Sequence, residues 1–429
     1  MKIVRTNSES AEAIIQSLEA RGAVNTAKVD ATVREILAAV RERGDAGLRE
    51  YAGRFDGLTE NSPLLVSREE MQAAWDATSE ELRAAMRLAQ ANIRAFAEKQ
   101  MPRAWSFRAQ PGMEVGQIVR AIGAVGCYVP GGRYPLPSTL LMTVTSAQVA
   151  GVERIVVCSP KPAKETMAAA WLASQEAAIE FYRVGGAQAI AAMAFGTATI
   201  DAVDKIVGPG NLYVTAAKIT VSQETGPVSA SCAIDMPAGP TEIVVTSEEG
   251  DATGIAADLV AQAEHDPEAL PIFITSQPEL AEEVALEVKR QAQGNQIAQA
   301  AIAAQGVCFV TLDVEEAHAL TNRLAPEHLT VDAGADVRWV KNAGSVFIGN
   351  FAPQSMGDYI SGPNHVLPTG RAGRVRGGLS VMDFVKIITV QQYTHEALCE
   401  VGPHTIALAE AEGLKAHAES VRVKMRKNH

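Results

Sequence analysis

Two hydrophobic periodicities divide the chain. In its first third, apolar residues recur at helical spacing. Val33, Ile36, Leu37 and Val40 fall on one face of a helix, and Ser67-Arg68-Glu69-Glu70-Met71 reads as an N-cap followed by an acidic first turn. That third is expected to be mostly helical. After Ala121 short apolar runs alternate with helical stretches. Arg154-Ile155-Val156-Val157-Cys158 reads as a buried strand closed by the turn Ser159-Pro160-Lys161-Pro162. Ile179–Arg183 is a second strand, ended by Gly185-Gly186, and Lys205–Val207 a third, ended by Gly208-Pro209-Gly210. The pattern recurs at 242–246, 272–275, 307–311 and 346–348. Strands alternating with helices predict parallel βαβ units, read here as two Rossmann-like domains in an α/β fold. After Ser380 the chain is expected to become helical again. It ends in a basic tail, Arg422 to Lys427, which reads as a solvated helix end.

Against that frame one pentapeptide stands out, Ala325-Pro326-Glu327-His328-Leu329. It follows a predicted helix and enters a predicted strand. Pro326 cannot continue the helix and steers Ala325 away from helical backbone. Glu327 and His328 point to opposite faces if the segment is a strand and can share one cleft if it is a turn. A Glu–His pair can move protons near neutral pH once each pKa is tuned. Adjacency alone reads first as an ordinary polar turn, because catalytic pairs are recognised by geometry.

Other polar positions add metal-type donors. Gln262 and His265 lie i, i+3 on the predicted helix Thr253–His265, which puts both side chains on one face and His265 in the last turn, before Asp266-Pro267. Gly357-Asp358-Tyr359 and Asn364-His365 lie in a Gly/Pro-punctuated loop, and Glu412 precedes His417 near the C-terminus. Imidazoles, a carboxylate and an amide oxygen are donors that zinc accepts. From spacing alone, the helical histidine reads first as a satisfied polar residue and His417 as a surface histidine. No GxGxxG fingerprint occurs, so glycine-rich strand ends are as readable as βα turns as they are as cofactor contacts.

Composition narrows the class. The 429 residues suffice for two or more domains, and 47% hydrophobic with 5% aromatic content suits an Ala/Val/Ile-rich α/β enzyme. A formal net charge of −12 argues against nucleic-acid or anionic-membrane partners. Five scattered cysteines, Cys127, Cys158, Cys232, Cys308 and Cys399, form no CxxC pair and read as buried thiols in a reducing cytosol. With no apolar signal core at the N-terminus and no run near the ~18 residues needed to span a bilayer, a cytoplasmic protein is expected.

The ordered set of motifs resembles histidinol dehydrogenase. It comprises Tyr128-Val129-Pro130-Gly131-Gly132, Val184-Gly185-Gly186-Ala187-Gln188, Val207-Gly208-Pro209-Gly210-Asn211, Asp235–Pro240, Gln262–His265, Ala325–Leu329, Gly357–Tyr359, Asn364–Pro368 and Leu414–His417. The resemblance runs from about the first helix to the C-terminus. It implies a zinc enzyme that oxidises L-histidinol to L-histidine through L-histidinal, using NAD twice, at the end of histidine biosynthesis. It further implies one zinc per subunit on Gln262, His265, Asp358 and His417. Substrate contacts would fall at Thr241, Gln262, His265, His328, Asp358, His365, Glu412 and His417, and NAD contacts at Tyr128, Gln188 and Asn211. Thr241 stands where the family has Ser; the hydroxyl survives.

The implied fold is two incomplete Rossmann-like domains with parallel-sheet cores and small N- and C-terminal helical extensions, in a domain-swapped homodimer. Residues 1–24 would be the N-terminal extension, and 25–127 with 237–378 the first domain, carrying most zinc and substrate residues. Residues 128–236 would form the NAD-side domain, and 379–429 an extension reaching the partner subunit to complete the site. In the implied chemistry a neutral His328 takes the alcohol proton and an ionised Glu327 activates water for the second oxidation. Two alternatives stand beside this reading: a related zinc/NAD dehydrogenase of another small polar alcohol, and, more distantly, a zinc hydrolase using Glu327.

Overall fold

The computed structural model describes residues 1–20, 26–131, 134–224 and 231–426. Gly132, Lys427 and the expected boundary after residue 24 lie outside the described residues. The chain forms two compact units, Met1–Gln100 with Ile122–Phe384, and Met101–Ala121 with Val385–His429.

The larger unit holds two parallel sheets, made largely from the runs predicted above; Ala124–Tyr128, whose Ala and Gly weaken the strand signal, Ala233–Ile234 and Lys2–Arg5 were not anticipated. The five-stranded sheet runs, edge to edge, Ile179–Tyr182, Arg154–Cys158, Ala124–Tyr128, Lys205–Val207 and Ala233–Ile234. The six-stranded sheet runs Lys2–Arg5, Val307–Val310, Leu270–Thr275, Glu242–Thr246, His328–Val331 and Ser345–Ile348. Lys2–Arg5 pairs in parallel with Val307–Val310. Lys2–Arg5 aside, the two sheets share one order: the first strand central, the second and third to one side, the fourth and fifth to the other. That is the doubly wound arrangement, whose direction reverses between first and fourth strands.

Helices cover the sheets because their apolar stripes have nowhere else to go. Val33, Ile36, Leu37 and Val40 of Asp30–Arg43 are all buried, as their spacing predicts, in the core over the five-stranded sheet. Full burial of each such side chain contributes about 1.5–3 kcal/mol. Ser67 and Glu70 make the reciprocal capping box anticipated for the helix Arg68–Asp76. Ile243 and Val245 pack under the helix Ala252–Ala263, while Val244, Leu329 and Val331 face the opposite core, so the six-stranded sheet is buried on both sides.

The smaller unit departs from expectation. A nine-residue strand, Val385–Tyr393, precedes its helices His395–Ala411 and Lys415–Met425, so the chain after Ser380 does not turn directly helical. It pairs antiparallel with Met113–Ala121, which pairs with Trp105–Gln110. This sheet is largely exposed, including Trp105, Phe107, Ile387 and Ile388. With so few positions buried on either face, no clear inside–outside alternation marks it as strand. The N-terminal segment is likewise not purely helical, since Lys2–Arg5 completes a sheet ahead of the helix Ala11–Ala20. No helix among the described residues is long and apolar enough to cross a membrane. All five cysteines are free, four buried and Cys399 half-buried.

Candidate active site

A cavity of about 360 Å³ in the larger unit gathers Thr241, Gln262, His265, Glu327, His328, Asp358 and His365. Its floor is the amino end of the six-stranded sheet, where Glu242–Thr246 and His328–Val331 begin side by side. The opposite wall comes from the carboxyl end of the five-stranded sheet, through Gly208-Pro209-Gly210, Asp235-Met236 and the first turn of the helix Pro137–Ala150.

The Glu327–His328 pair is delivered by a sharp change of backbone. The helix Val314–Leu324 ends at Ala325, which adopts left-handed φ 50°, ψ 62° rather than the extended conformation usual before proline. Pro326 follows, and the strand starts at His328. Glu327 therefore precedes the strand proper, and both side chains reach the same cavity. Glu327 reaches across to the neighbouring strand. Its Oε2 accepts hydrogen bonds from Thr241 Oγ1 at 2.6 Å and from the Glu242 N–H at 2.8 Å. Thr241 Oγ1 in turn accepts from Gln262 Nε2. One hydroxyl thus ties the amide to the carboxylate.

His328 is buried, with its Nδ1 3.1 Å from the Glu242 carbonyl. A carbonyl only accepts, so Nδ1 carries the proton and Nε2 is the free ring nitrogen. Nε2 makes no hydrogen bond among the described residues; Asp358 Oδ1 stands 3.5 Å from it. The Phe347 ring stacks near the imidazole, centroids 6.1 Å apart, and Gly357 leaves room for that phenyl ring beside Asp358. Burial pulls the His328 pKa down, but Glu327, with Nδ1 3.6 Å from its Oε2, and Asp358 outweigh burial and hold it at about 10. In the chain alone the two carboxylates thus favour the protonated imidazole over the neutral one. Two carboxylates converge on one imidazole: Glu327 is its neighbour in sequence, and Asp358 is hidden by sequence distance. Burial opposes the Asp358 charge, but His328 prevails and keeps its carboxyl below the usual range. His365 is spoken for on both nitrogens: Nδ1 meets the Asp358 carbonyl at 2.7 Å and Nε2 meets Thr139 Oγ1 at 3.0 Å. Burial lowers its pKa and keeps it neutral.

The metal-type donors are placed as follows. Gln262 is 1% exposed, and its Oε1 has no partner among the described residues. The helix ends at Ala263, so His265 lies in the following turn rather than the last helical turn; its N–H still bonds the Gln262 carbonyl at 3.3 Å. Asp358 sits on the short helix Gln354–Tyr359, not in a loop. A buried amide oxygen without a partner, an imidazole and a carboxylate on one cavity are donors that fit zinc. They are fewer than a closed shell requires, and no group of three or more His, Cys, Asp or Glu among the described residues could hold a metal. Glu412 and His417 belong to the smaller unit, where they share one shallow hollow.

Of the three predicted nucleotide contacts, Asn211 caps the helix Leu212–Gln223 and lines a neighbouring cavity of about 500 Å³ that shares Thr241 and His265 with the first. Tyr128 and Gln188 are buried behind the Gly185-Gly186 turn. The Gly186 N–H donates to the Tyr128 hydroxyl, and the buried Asp56 carboxylate accepts from the Gly185 N–H and Gln188 Nε2.

Three contributors were missed from sequence. Thr139 orients His365, and Glu242 orients His328 through its carbonyl, which no side-chain pattern can reveal. Lys218, 2% exposed, pairs with the buried Asp235 and donates to the Gly208 carbonyl at 2.8 Å, while Asp235 accepts from the Gly208 N–H. A lone charge in the otherwise uncharged helix Leu212–Gln223 was the available signal.

Comparisons with known proteins agree along the whole chain. The sequence profile "Histidinol dehydrogenase" matches residues 19–425. Histidinol dehydrogenase of Methanothermobacter thermautotrophicus is 44% identical over 425 residues, covering 96% of this chain and 97% of the relative. That of Geobacillus kaustophilus is 46% identical over 404 residues, covering 92% and 93%. The crystal structure of histidinol dehydrogenase from Elizabethkingia anophelis superposes with a TM-score of 0.91 at 33% identity, covering 99% of this chain and 98% of that one.

Proposed function

The chain belongs to the histidinol dehydrogenase family and has that family's activity in histidine biosynthesis, and on this premise we propose how its residues divide the work. His328 Nε2 takes the alcohol proton in the first oxidation. Glu327, held by Thr241 and the Glu242 N–H, activates the water that hydrates the aldehyde for the second. The observation that carries this reading is the pairing of a fixed imidazole tautomer with an anchored carboxylate on one cavity.

Gln262, His265 and Asp358, with His417, would hold zinc. When bound, that ion supplies Lewis-acid anchoring of the substrate's imidazole and amine, and NAD supplies the acceptor for each hydride. With Asp358 engaged as a ligand, one of the two carboxylates that keep His328 protonated is withdrawn, which favours the neutral base. Thr241, His365 and Glu412 complete the substrate contacts, and Tyr128, Gln188 and Asn211 serve the nucleotide. We further propose that residues 379–429 bring Glu412 and His417 to the site of a partner subunit in a cytoplasmic homodimer, and that the six-stranded sheet forms the substrate side while the five-stranded sheet, with Ala124–Tyr128 at its centre and Asp30–Arg43 packed over it, forms the NAD side, in place of the expected 127/128 boundary. Family membership sets aside the other-alcohol and hydrolase alternatives.

The test is stoichiometric. About two NADH should form per L-histidinol, with histidine as product and little free aldehyde; one NADH with accumulated histidinal would remove Glu327 from the second step. The shared site is tested by mixing His417→Ala and Asp358→Ala proteins, each expected to be inactive. Subunit exchange should restore activity, because a mixed dimer carries one site without a lesion. Proven heterodimers without activity would refute the sharing.

A further inference from the structure

Ligands of doubly wound sheets bind outside the carboxyl ends of the strands, where strand order reverses. The active-site cavity obeys this for the five-stranded sheet but lies at the amino end of the six-stranded one. The six-stranded sheet's own crevice, past the ends of Glu242–Thr246 and His328–Val331, holds a separate cavity of about 210 Å³. We propose that this crevice is a second binding site, for a small protonated amine.

Three observations converge. Thr330 lines the cavity from the sheet floor, where it pairs with Val245. It is 8% exposed, and its hydroxyl has no partner among the described residues. A hydroxyl buried without a partner costs about 1–3 kcal/mol, a cost that a bound donor would remove. Asp258 lines the same cavity from the overlying helix Ala252–Ala263. Burial pushes its carboxyl up to about 6, opposed by a backbone hydrogen bond from Gln354.

The lining selects the ligand class. Asp251, Asp258 and Asp332 bring three carboxylates to the cavity, and no Lys, Arg or His is among the described residues that line it. The first turn of the helix, which in such crevices commonly receives a phosphate, is already occupied: Asp251 Oδ2 accepts from the Gly254 N–H at 2.8 Å. An anion is thereby excluded. A bare metal ion is poorly served, since Asp251 caps its helix and both Asp332 oxygens accept from the Ser247 hydroxyl and the Glu248 N–H, leaving few free carboxylate oxygens. What fits is a compact cation with N–H donors, one directed to Asp258 and one to Thr330 Oγ1.

The test titrates ethylammonium into the zinc-loaded, full-length protein near pH 7.5 by calorimetry, with acetate and acetamide as anionic and neutral controls of similar size. Saturable binding of ethylammonium alone is expected. Asp258→Asn should weaken it about ten-fold or more, the loss of one charge-assisted hydrogen bond, and leave turnover of histidinol unchanged. Thr330→Val should also weaken binding, yet fold at least as stably as the parent without amine, because no partner is lost. That variant carries the test should Asp258→Asn fail to fold. Binding should fade as pH falls below 6. Asp358→Asn, which alters the catalytic cavity, should leave amine binding intact. Absence of saturable binding, equal binding by Thr330→Val, or loss in Asp358→Asn with retention in Asp258→Asn would overturn the proposal.

Discussion

The two parallel sheets share a strand order and are used at opposite ends. The five-stranded sheet meets the active cavity at its carboxyl ends, through glycine-rich turns that allow close backbone approach: Gly208 has φ +112°, and a Cβ there would strike the Tyr128 carbonyl. The six-stranded sheet meets the same cavity at its amino ends, through side chains: Thr241 and Glu327 immediately before their strands, His328 as the first residue of one. One end offers backbone and helix termini, suited to a nucleotide. The other offers acid–base groups locked by sheet hydrogen bonds. Strand order alone therefore does not locate chemistry; residues at the strand ends do.

The largest effects should separate the two ends of the six-stranded sheet. Glu327→Gln and His328→Asn should each lower turnover about 10²–10⁴-fold. The glutamate variant should impair oxidation of histidinal more than that of histidinol, and the histidine variant the alcohol step at least as strongly. Stopped-flow measurement of each half-reaction checks this, and equal, minor losses in both would dissolve the division of roles.

At the five-stranded end the ion pair under the glycine turn should matter for stability first. Lys218→Met leaves Asp235 charged and buried, which should cost about 3–5 kcal/mol in denaturant unfolding. Lys218→Met combined with Asp235→Leu should recover part of that. An unchanged midpoint for the single variant would show that the pair does not hold the turn.

Gly208→Ala probes the same turn more gently. Strained backbone plus the contact with the Tyr128 carbonyl should cost about 1–3 kcal/mol and raise KM for NAD more than KM for histidinol. Equal changes in both constants would mean that the turn does not serve the nucleotide side selectively.

The smallest effect lies at the carboxyl end of the six-stranded sheet. Asp258 has a folded-state pKa of about 6, above its unfolded value of about 3.9. The native state then binds the extra proton, so this group's contribution to stability increases as pH falls from about 6 to about 4. Compared with Asp258→Asn, the parent protein should gain relative thermal stability across that window; parallel pH profiles would remove Asp258 from the crevice argument.

Much of this was open to the sequence. The strands at 154–158, 205–207 and 242–246 were readable because consecutive β-branched residues in a doubly covered sheet leave a continuous apolar run. The helix Asp30–Arg43 was readable from one buried stripe. Candidate chemistry was readable as residue types in order: Gln262, His265, Glu327, His328, Asp358 and His365 do line one cavity. Other features needed the fold. The antiparallel sheet of the smaller unit escaped detection because exposed strands bury no alternating face. The shift of His265 out of its helix is a matter of two residues at a frayed end. Beside its neighbour Glu327, His328 feels Asp358, thirty positions away in sequence and 3.5 Å away in space. Its tautomer depends on a backbone carbonyl of the neighbouring strand. Local sequence determines propensity and periodicity, because these act within a turn or a strand. Charge state, tautomer and which end of a sheet is used arise from contacts between distant segments, and only the tertiary structure brings those segments together.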